Sequence, residues 1–380
     1  MTTENPLIRL KGHGQSIWLD YIERRILKDG TLKRWIQEDG VAGMTSNPAI
    51  FEKAIAHTDH YRPAIDKMAR ENVPTEMIYE HLALEDVRDA ADLFRPVFDA
   101  TAGADGYVSL EVSPLLAHDT AATIREAHHL WGELDRPNVM IKVPATPEGL
   151  PAIRELIHAG LNVNVTLLFS VGRYVEVVGA YMAGLEARVK DGNPVDHVAS
   201  VASFFLSRID VKVDPLLDKI KDGPDPERAR TARELRGGTA LASAGMAYHR
   251  FQELFDTPRW HALEKQGAVP QRLLWASTSA KDPSYHDTMY VEGLIGAQTV
   301  NTVPVETLDA YRDHGDPAAR LTHTAAQAPG NLKRLSELGI HLHQIDQELE
   351  DEGVDKFVGP FQQLLKTLDG LRHAARAQRA

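Results

Sequence analysis

The chain of 380 residues carries 54 Asp and Glu against 42 Lys and Arg, a formal net charge of −12, and no cysteine. Zero cysteine excludes disulfides, thiolate metal centres and thiol nucleophiles together. The acidic balance, with no extended basic tract, argues against nucleic acid or an anionic membrane as partner, since both need a cationic footprint.

A phosphorylated substrate stays compatible with that charge only if a local cluster of Arg, Lys and backbone N–H groups overrides the global field at short range. The opening segment Met1–Leu10 is polar and lacks an apolar h-region, so no signal peptide is expected. No apolar run approaches the roughly 18 residues of a membrane span, and a cytoplasmic protein is the expectation.

In chain order, short apolar or β-branched runs alternate with longer amphipathic stretches. The runs read as strands are Ser16–Asp20, Gly43–Asn47, Tyr107–Val112, Asn138–Pro144, Asn162–Phe169, Val198–Phe205, Arg272–Thr278 and Thr299–Val303. Several are apolar on both faces, as in parallel sheets covered by helices. Between them, Glu85–Phe98 places Val87, Ala90, Ala91 and Phe94 on one stripe, with Pro96 expected to kink or end the helix. Helices are expected at Asp119–Leu134, Pro147–Ala159 and Ser170–Lys190, the last with Ser170 as N-cap. A charged, Pro-containing run near Lys219–Glu227 marks a helical insertion, taken as about 214–266, and residues 331–380 read as C-terminal helices.

Eight strands separated by helices give a closed (β/α)8 barrel or a doubly wound sheet. The segment after the first strand, Tyr21–Arg25, is not the Gly-rich turn a dinucleotide fold needs, so the expectation is one α/β TIM barrel domain, 1–380, with its core at about 16–315. Its site would lie where the strands end. Those ends supply Asp20, Thr45, Ser46 and Asn47, then Glu111, Lys142, Asn164 and Thr166, then Ser203 and Ser277, with Arg208 just beyond its strand. Core packing alone does not put polar groups at the same edge strand after strand.

Lys142, in Val139-Met-Ile-Lys-Val-Pro144, is flanked by apolar residues on both sides. Such a lysine snorkels, pairs with a carboxylate or loses its proton. A structural ion pair and a reactive amine both satisfy this. At an ordinary pKa near 10.4 only about 0.04% of a lysine is neutral at pH 7, and lowering it by about three units makes roughly half of it a free amine. Burial acts in that direction; Asp20 and Glu111 act against it. The two carboxylates are either salt-bridge partners or an acid/base pair. Asn47 before Pro48 suits a helix N-cap as well as a substrate contact, and Ser203 with Arg208 suits a phosphate. Among 17 histidines, His341/His343 and His128/His129 are close in sequence, but no compact ligand spacing appears, so no metal is expected.

Taken together, Met44-Thr-Ser-Asn-Pro-Ala-Ile-Phe51, Leu84–Thr101, Ile141-Lys-Val-Pro-Ala-Thr146 and Asn162-Val-Asn-Val-Thr-Leu-Leu-Phe-Ser170 resemble segments of the transaldolases, in order, from about Ile17 to Leu308. The longer bacterial type is most similar, some members of which are fused to a glucose-6-phosphate isomerase that this chain is too short to hold. The resemblance implies a class I aldolase-like barrel of the non-oxidative pentose phosphate pathway, a monomer or homodimer without metal or cofactor. It would move a dihydroxyacetone unit from sedoheptulose 7-phosphate or fructose 6-phosphate to glyceraldehyde 3-phosphate or erythrose 4-phosphate. By that resemblance Lys142 attacks the donor C2 carbonyl, and Glu111, through a water held with Thr166, dehydrates the carbinolamine. Asp20 removes the C4 hydroxyl proton, while Asn47 and Asn164 hold the three-carbon enamine. Where many relatives carry an arginine two residues after the serine of strand seven, this chain has Ser279, which leaves Lys281 to supply the second phosphate cation beside Arg208. Two rivals stay open: a fructose-6-phosphate aldolase-like lyase, and a non-catalytic barrel that binds sugar phosphates.

Overall fold

The computed structural model describes residues 5–56 and 58–377. The leader reading of Met1–Leu10 falls partly outside the described residues, as do the last three positions of the C-terminal extension.

All eight expected runs are strands: β1 Gln15–Asp20, β2 Met44–Thr45, β3 Val108–Glu111, β4 Val139–Pro144, β5 Val163–Leu168, β6 Ser200–Phe205, β7 Arg272–Ala276 and β8 Thr299–Val303. They pair in parallel in sequence order, and β8 returns to β1, closing the barrel. Every residue of β2 to β6 and of β8 is buried, which is why these runs read as apolar on both faces. A close approach fixes Gly43 just before β2: a Cβ there would sit 2.6 Å from the Trp18 ring of β1.

β2 is shorter than its sequence run because Asn47 leaves the sheet to cap the helix Pro48–Ala56, its Oδ1 accepting from the Ile50 N–H at 3.1 Å. Asp119 and Ser170 cap Thr120–Leu134 and Val171–Lys190 in the same way, as expected for Ser170. The helix expected at Glu85–Phe98 is longer, Thr75–Ala100, and Pro96 does not end it. Proline removes the bond to the carbonyl four residues back, but both Asp92 and Pro96 face solvent, where water can take that carbonyl.

Between β6 and β7 four helices intervene, Ser207–Lys221, Pro226–Leu235, Thr239–Leu254 and Pro258–Glu264, so the decoration begins directly at the strand end. The chain finishes with Leu321–Glu337 and a 36-residue helix, Leu342–Ala377, each continuing through an internal proline. Among the described residues no helix is long and apolar enough to cross a membrane.

Polar contacts brace the end of the barrel where the strands begin. Arg272, the first residue of β7, donates to Ser16 Oγ at 2.7 Å, Thr299 O at 2.8 Å and Ala104 O at 2.9 Å. Asp105 accepts from Trp18 Nε1 at 3.0 Å and from Ser16 Oγ at 2.7 Å. These groups sit where strands begin, leaving the strand C-terminal ends free for chemistry.

Candidate active site

Register brings the reactive groups together. Glu111 at the end of β3 lies opposite Lys142 in β4, and Lys142 lies opposite Asn164 in β5. Lys142 is 3% exposed, so its ammonium or amine is out of bulk water. Its Nζ donates to Ser46 O at 3.1 Å and stands 3.4 Å from Glu111 Oε2, longer than the ~2.7–2.9 Å of a good charge-assisted bond. Burial pushes the Glu111 carboxyl up to about 7, against the opposing pull of Lys142. Near neutral pH its protonated and ionised forms are therefore both accessible. That gives the mouth a group able to take or return the proton a reactive amine has to lose.

Asp20, at the end of β1, is half-buried and is also pushed up by desolvation, again with Lys142 pulling it down. Its Oδ1 accepts from Thr45 Oγ1 at 2.7 Å, and Thr45 Oγ1 meets Thr302 Oγ1 at 2.8 Å. Since Thr45 gives its only hydrogen to Asp20, Thr302 of β8 donates to Thr45, and the chain of hydroxyls orients the carboxylate.

Asn164 is held from two sides: Oδ1 accepts from Ser203 Oγ at 2.7 Å and Nδ2 donates to Ser109 Oγ at 3.0 Å, leaving one amide hydrogen free of those bonds. Next along β5 the register shifts between Val165 and Leu168, and Leu167 takes φ 55°, so the strand is kinked beside Thr166. Ser277, just past β7, takes φ 56° and bonds Ser207 Oγ at 2.9 Å. Non-glycine residues with positive φ cost free energy, and two of them flank this mouth.

Asp20, Thr45, Asn47, Lys142, Ser203, Arg208 and Ser277 line one cavity of about 90 Å3, with Thr302, Phe205, Ala276 and Phe357. Glu111, Asn164 and Thr166 stand beside Lys142 on the two adjoining strands, β3 and β5. Glu111 Oε1 and Oε2, Thr166 Oγ1 and Arg208 Nη1 are buried with no hydrogen-bond partner. Buried polar atoms are usually satisfied, so this concentration marks a place built for groups from outside the chain. Lys281 is the outlier: it is exposed, bonds Ser279 Oγ at 2.5 Å and is not part of the cavity wall.

Four residues of the wall, Phe205, Ala276, Thr302 and Phe357, escaped sequence reading as site residues, the first two because they are apolar members of their strands. Thr302 was legible as a polar residue near the end of the eighth strand. Phe357 had no local signal, because it reaches the mouth from the helix Leu342–Ala377, its ring centroid 5.8 Å from Lys142 Nζ.

Elsewhere, a cavity of about 890 Å3 opens at the opposite end of the barrel, beside Arg272, Trp18 and Tyr107. It is larger than the cavity beside Lys142, yet Arg272 and Asp105 in its wall are engaged in the network described above and it holds no buried lysine. Among the described residues, His286, Asp287 and His314 form an exposed group whose ligand-type atoms lie within 4.8 Å of one another, a proximity that sequence spacing did not show. In this structure His314 Nε2 meets Asp287 Oδ1 at 2.9 Å as a surface ion pair.

The family model described as Transaldolase/Fructose-6-phosphate aldolase matches residues 17–368. The chain is 46% identical over 370 residues to a protein of Nostoc sp. named Transaldolase 2, covering 96% of this chain and 97% of that one. A Transaldolase of Thiobacillus denitrificans is 46% identical, with 93% and 96% covered. A Transaldolase 2 of Streptomyces avermitilis is 46% identical, with 96% of each chain covered.

Proposed function

This chain belongs to the transaldolase family, and from that premise we propose that it works through a Schiff base on Lys142. Its activity is transaldolase activity, and its substrates are sugar phosphates. The observation that carries the site assignment is the amine of a buried lysine 3.4 Å from a carboxyl group whose pKa is lifted to about 7, in a cavity that Asp20 and Arg208 share.

The donor is a ketose phosphate such as sedoheptulose 7-phosphate or fructose 6-phosphate, and the acceptor is glyceraldehyde 3-phosphate or erythrose 4-phosphate. Neutral Lys142 adds to the donor C2 carbonyl. Glu111 gives a proton to the departing hydroxyl through a water held with Thr166, whose Oγ1 has no protein hydrogen-bond partner, while Lys142 stands 3.4 Å from the Glu111 carboxylate. Asp20 takes the C4 hydroxyl proton, the bond between C3 and C4 breaks, and the iminium receives the electron pair. No metal is needed as electron sink, because the cationic nitrogen is one. Asn164 and Asn47 hold the enamine hydroxyls; the Asn47 cap uses Oδ1, which leaves Nδ2 to donate. The acceptor aldehyde then takes the enamine carbon, and the steps reverse.

Arg208, with its buried unpartnered Nη1, binds the phosphate at the cavity rim, near Ser203 and Ser277. Lys281 serves as an outer cation that draws the dianion in without sitting against it. Lys281→Ala is expected to raise the donor KM about two- to threefold, with the rise fading at high ionic strength because the charge is exposed. Arg208→Ala raises KM far more. Equal KM for Lys281→Ala and wild type at low salt removes Lys281 from substrate binding.

Borohydride reduction tests the covalent step. With fructose 6-phosphate, the reduced protein gains the mass of a dihydroxyacetone unit on the peptide carrying Lys142; an unmodified Lys142 rejects the mechanism. Followed as a rate, the same trap tests Glu111. Its proton-donating form disappears as pH rises through about 7, so Schiff-base formation slows above that point. Glu111→Gln slows it by about a hundredfold and flattens the limb. An undiminished limb in that variant moves the titration to another group.

A further inference from the structure

The helix Leu342–Ala377 crosses the barrel mouth, and its first half adds surface ion pairs to the apolar packing of Ile345, Leu349 and Val354. Asp346, Glu350, Gly353 and Phe357 share one face by helical spacing. A Cβ on Gly353 would lie 3.2 Å from Leu167 and Phe169, so glycine lets the helix press against the end of β5. Four residues on, Phe357 is 4% exposed, with its ring centroid 5.8 Å from Lys142 Nζ and 5.9 Å from Arg208 Cζ. Before Phe357 the helix is latched by partly exposed ion pairs: Lys212 to Glu348 at 3.1 Å and to Glu352 at 2.5 Å, and Arg173 to Glu350 at 3.4 Å. After Gly359 and Pro360 it is anchored by apolar packing, with Phe361 against Tyr79 and Leu364 and Leu368 fully buried.

We propose that Phe357 is a specificity-determining residue that makes this chain a transferase by walling the three-carbon intermediate from water. This role rests on the Schiff-base reading of Lys142. The volume of about 90 Å3 is well below the roughly 300 Å3 at which ligand clefts begin, so beside Lys142 there is room for a three-carbon fragment with little space for bulk water, and the phosphate end of a donor lies toward the rim. Once the aldose phosphate has left, loss of the fragment as free dihydroxyacetone needs a proton on C3 of the enamine and a water at C2 of the iminium. The water oxygen becomes the ketone oxygen, and Lys142 leaves carrying both water hydrogens. An aromatic face packed over Nζ shields the enamine from bulk water that would protonate C3, the step that transfer avoids; hydrolysis at C2 itself uses the water that Glu111 and Thr166 hold in every turnover. The ion-pair latch keeps that face in place.

The measurement is the ratio of acceptor-independent dihydroxyacetone release from fructose 6-phosphate to transfer onto erythrose 4-phosphate. Phe357→Ala is expected to raise the ratio at least tenfold, with Phe357→Leu, which restores apolar bulk, falling between it and wild type. Lys212→Ala, a surface change outside the site, raises it at least twofold at low salt. An unchanged ratio in Phe357→Ala, with the three-carbon adduct still trapped on Lys142, overturns the role while leaving the Schiff base intact. Absence of the adduct in the wild type removes both. If Phe357→Ala does not fold, Lys212→Ala decides alone: a raised ratio supports the wall and an unchanged one overturns it.

Discussion

Replacing Lys142 with arginine leaves a folded barrel whose turnover is at least about ten-thousandfold lower, because the substitution removes the attacking atom. Arginine keeps the positive charge beside Glu111, so the buried carboxylate still has a cation. It stays protonated throughout the working pH range and offers no free amine. The longer side chain has to fit a site that is 3% exposed, with Phe357 packed above it, which costs about 1–3 kcal/mol of stability. That cost is small beside the kinetic loss. A steady-state assay with circular dichroism and a melting curve separates the two. Residual turnover above about one part in a hundred in a folded Lys142→Arg protein would mean that the amine is not the nucleophile.

Lys142→Met gives a second view, through Glu111. Removing the cation that pulls this carboxyl down lifts it beyond about 7. A group whose folded pKa is raised contributes stability that is complete below its ordinary range and lost as pH climbs through the folded value. Lys142→Met is therefore expected to melt earlier than wild type at alkaline pH and to converge with it in mild acid.

Asp20→Ala separates binding from cleavage. The residue is placed as the base for the C4 hydroxyl, downstream of Schiff-base formation, so the variant takes up donor and stalls before the carbon–carbon bond breaks. Turnover falls by about a hundred- to ten-thousandfold, the usual worth of a positioned base. Borohydride then traps the whole ketose phosphate on Lys142 instead of the three-carbon fragment, a difference visible in the intact mass. The loss of a neighbour also touches the hydroxyl chain. Thr45 loses its acceptor, a penalty of about 1 kcal/mol, while Thr302 can still donate to it. Rapid release of aldose phosphate by Asp20→Ala would hand the role of base to Glu111 or to water. A variant that fails to form any adduct would place Asp20 in the first step.

Much of this site was legible in the residues. Polar groups at the ends of β1 to β7 stood out because a strand buried on both faces has no packing reason to carry them. Closure of a parallel barrel then brings strand ends together, whatever the loops do between them. Asn47 shows why a structural and a functional reading need not compete: its Oδ1 caps a helix while the residue also lines the cavity. Lys281 marks the other limit. A cation four residues past Ser277 looked well placed for phosphate, but the chain turns outward after the strand and leaves it on the surface. Pro96 misled in a milder way, because exposure of the carbonyl it orphans allows the helix to go on.

By itself the sequence determined the eight strands, their parallel class, the lysine between apolar neighbours and the family to which the chain belongs. These follow from local periodicity and from short motifs, which need no knowledge of what lies across the barrel. Tertiary structure alone decided that Lys142 meets Glu111 at 3.4 Å, that β5 kinks beside Thr166, and that an aromatic from the last helix closes the mouth. Helical periodicity tells which face of Leu342–Ala377 is apolar but not which surface that face covers. That choice is made by packing between segments far apart in the chain, here by the fit of Gly353 against β5 and the anchoring of Phe361 on Tyr79.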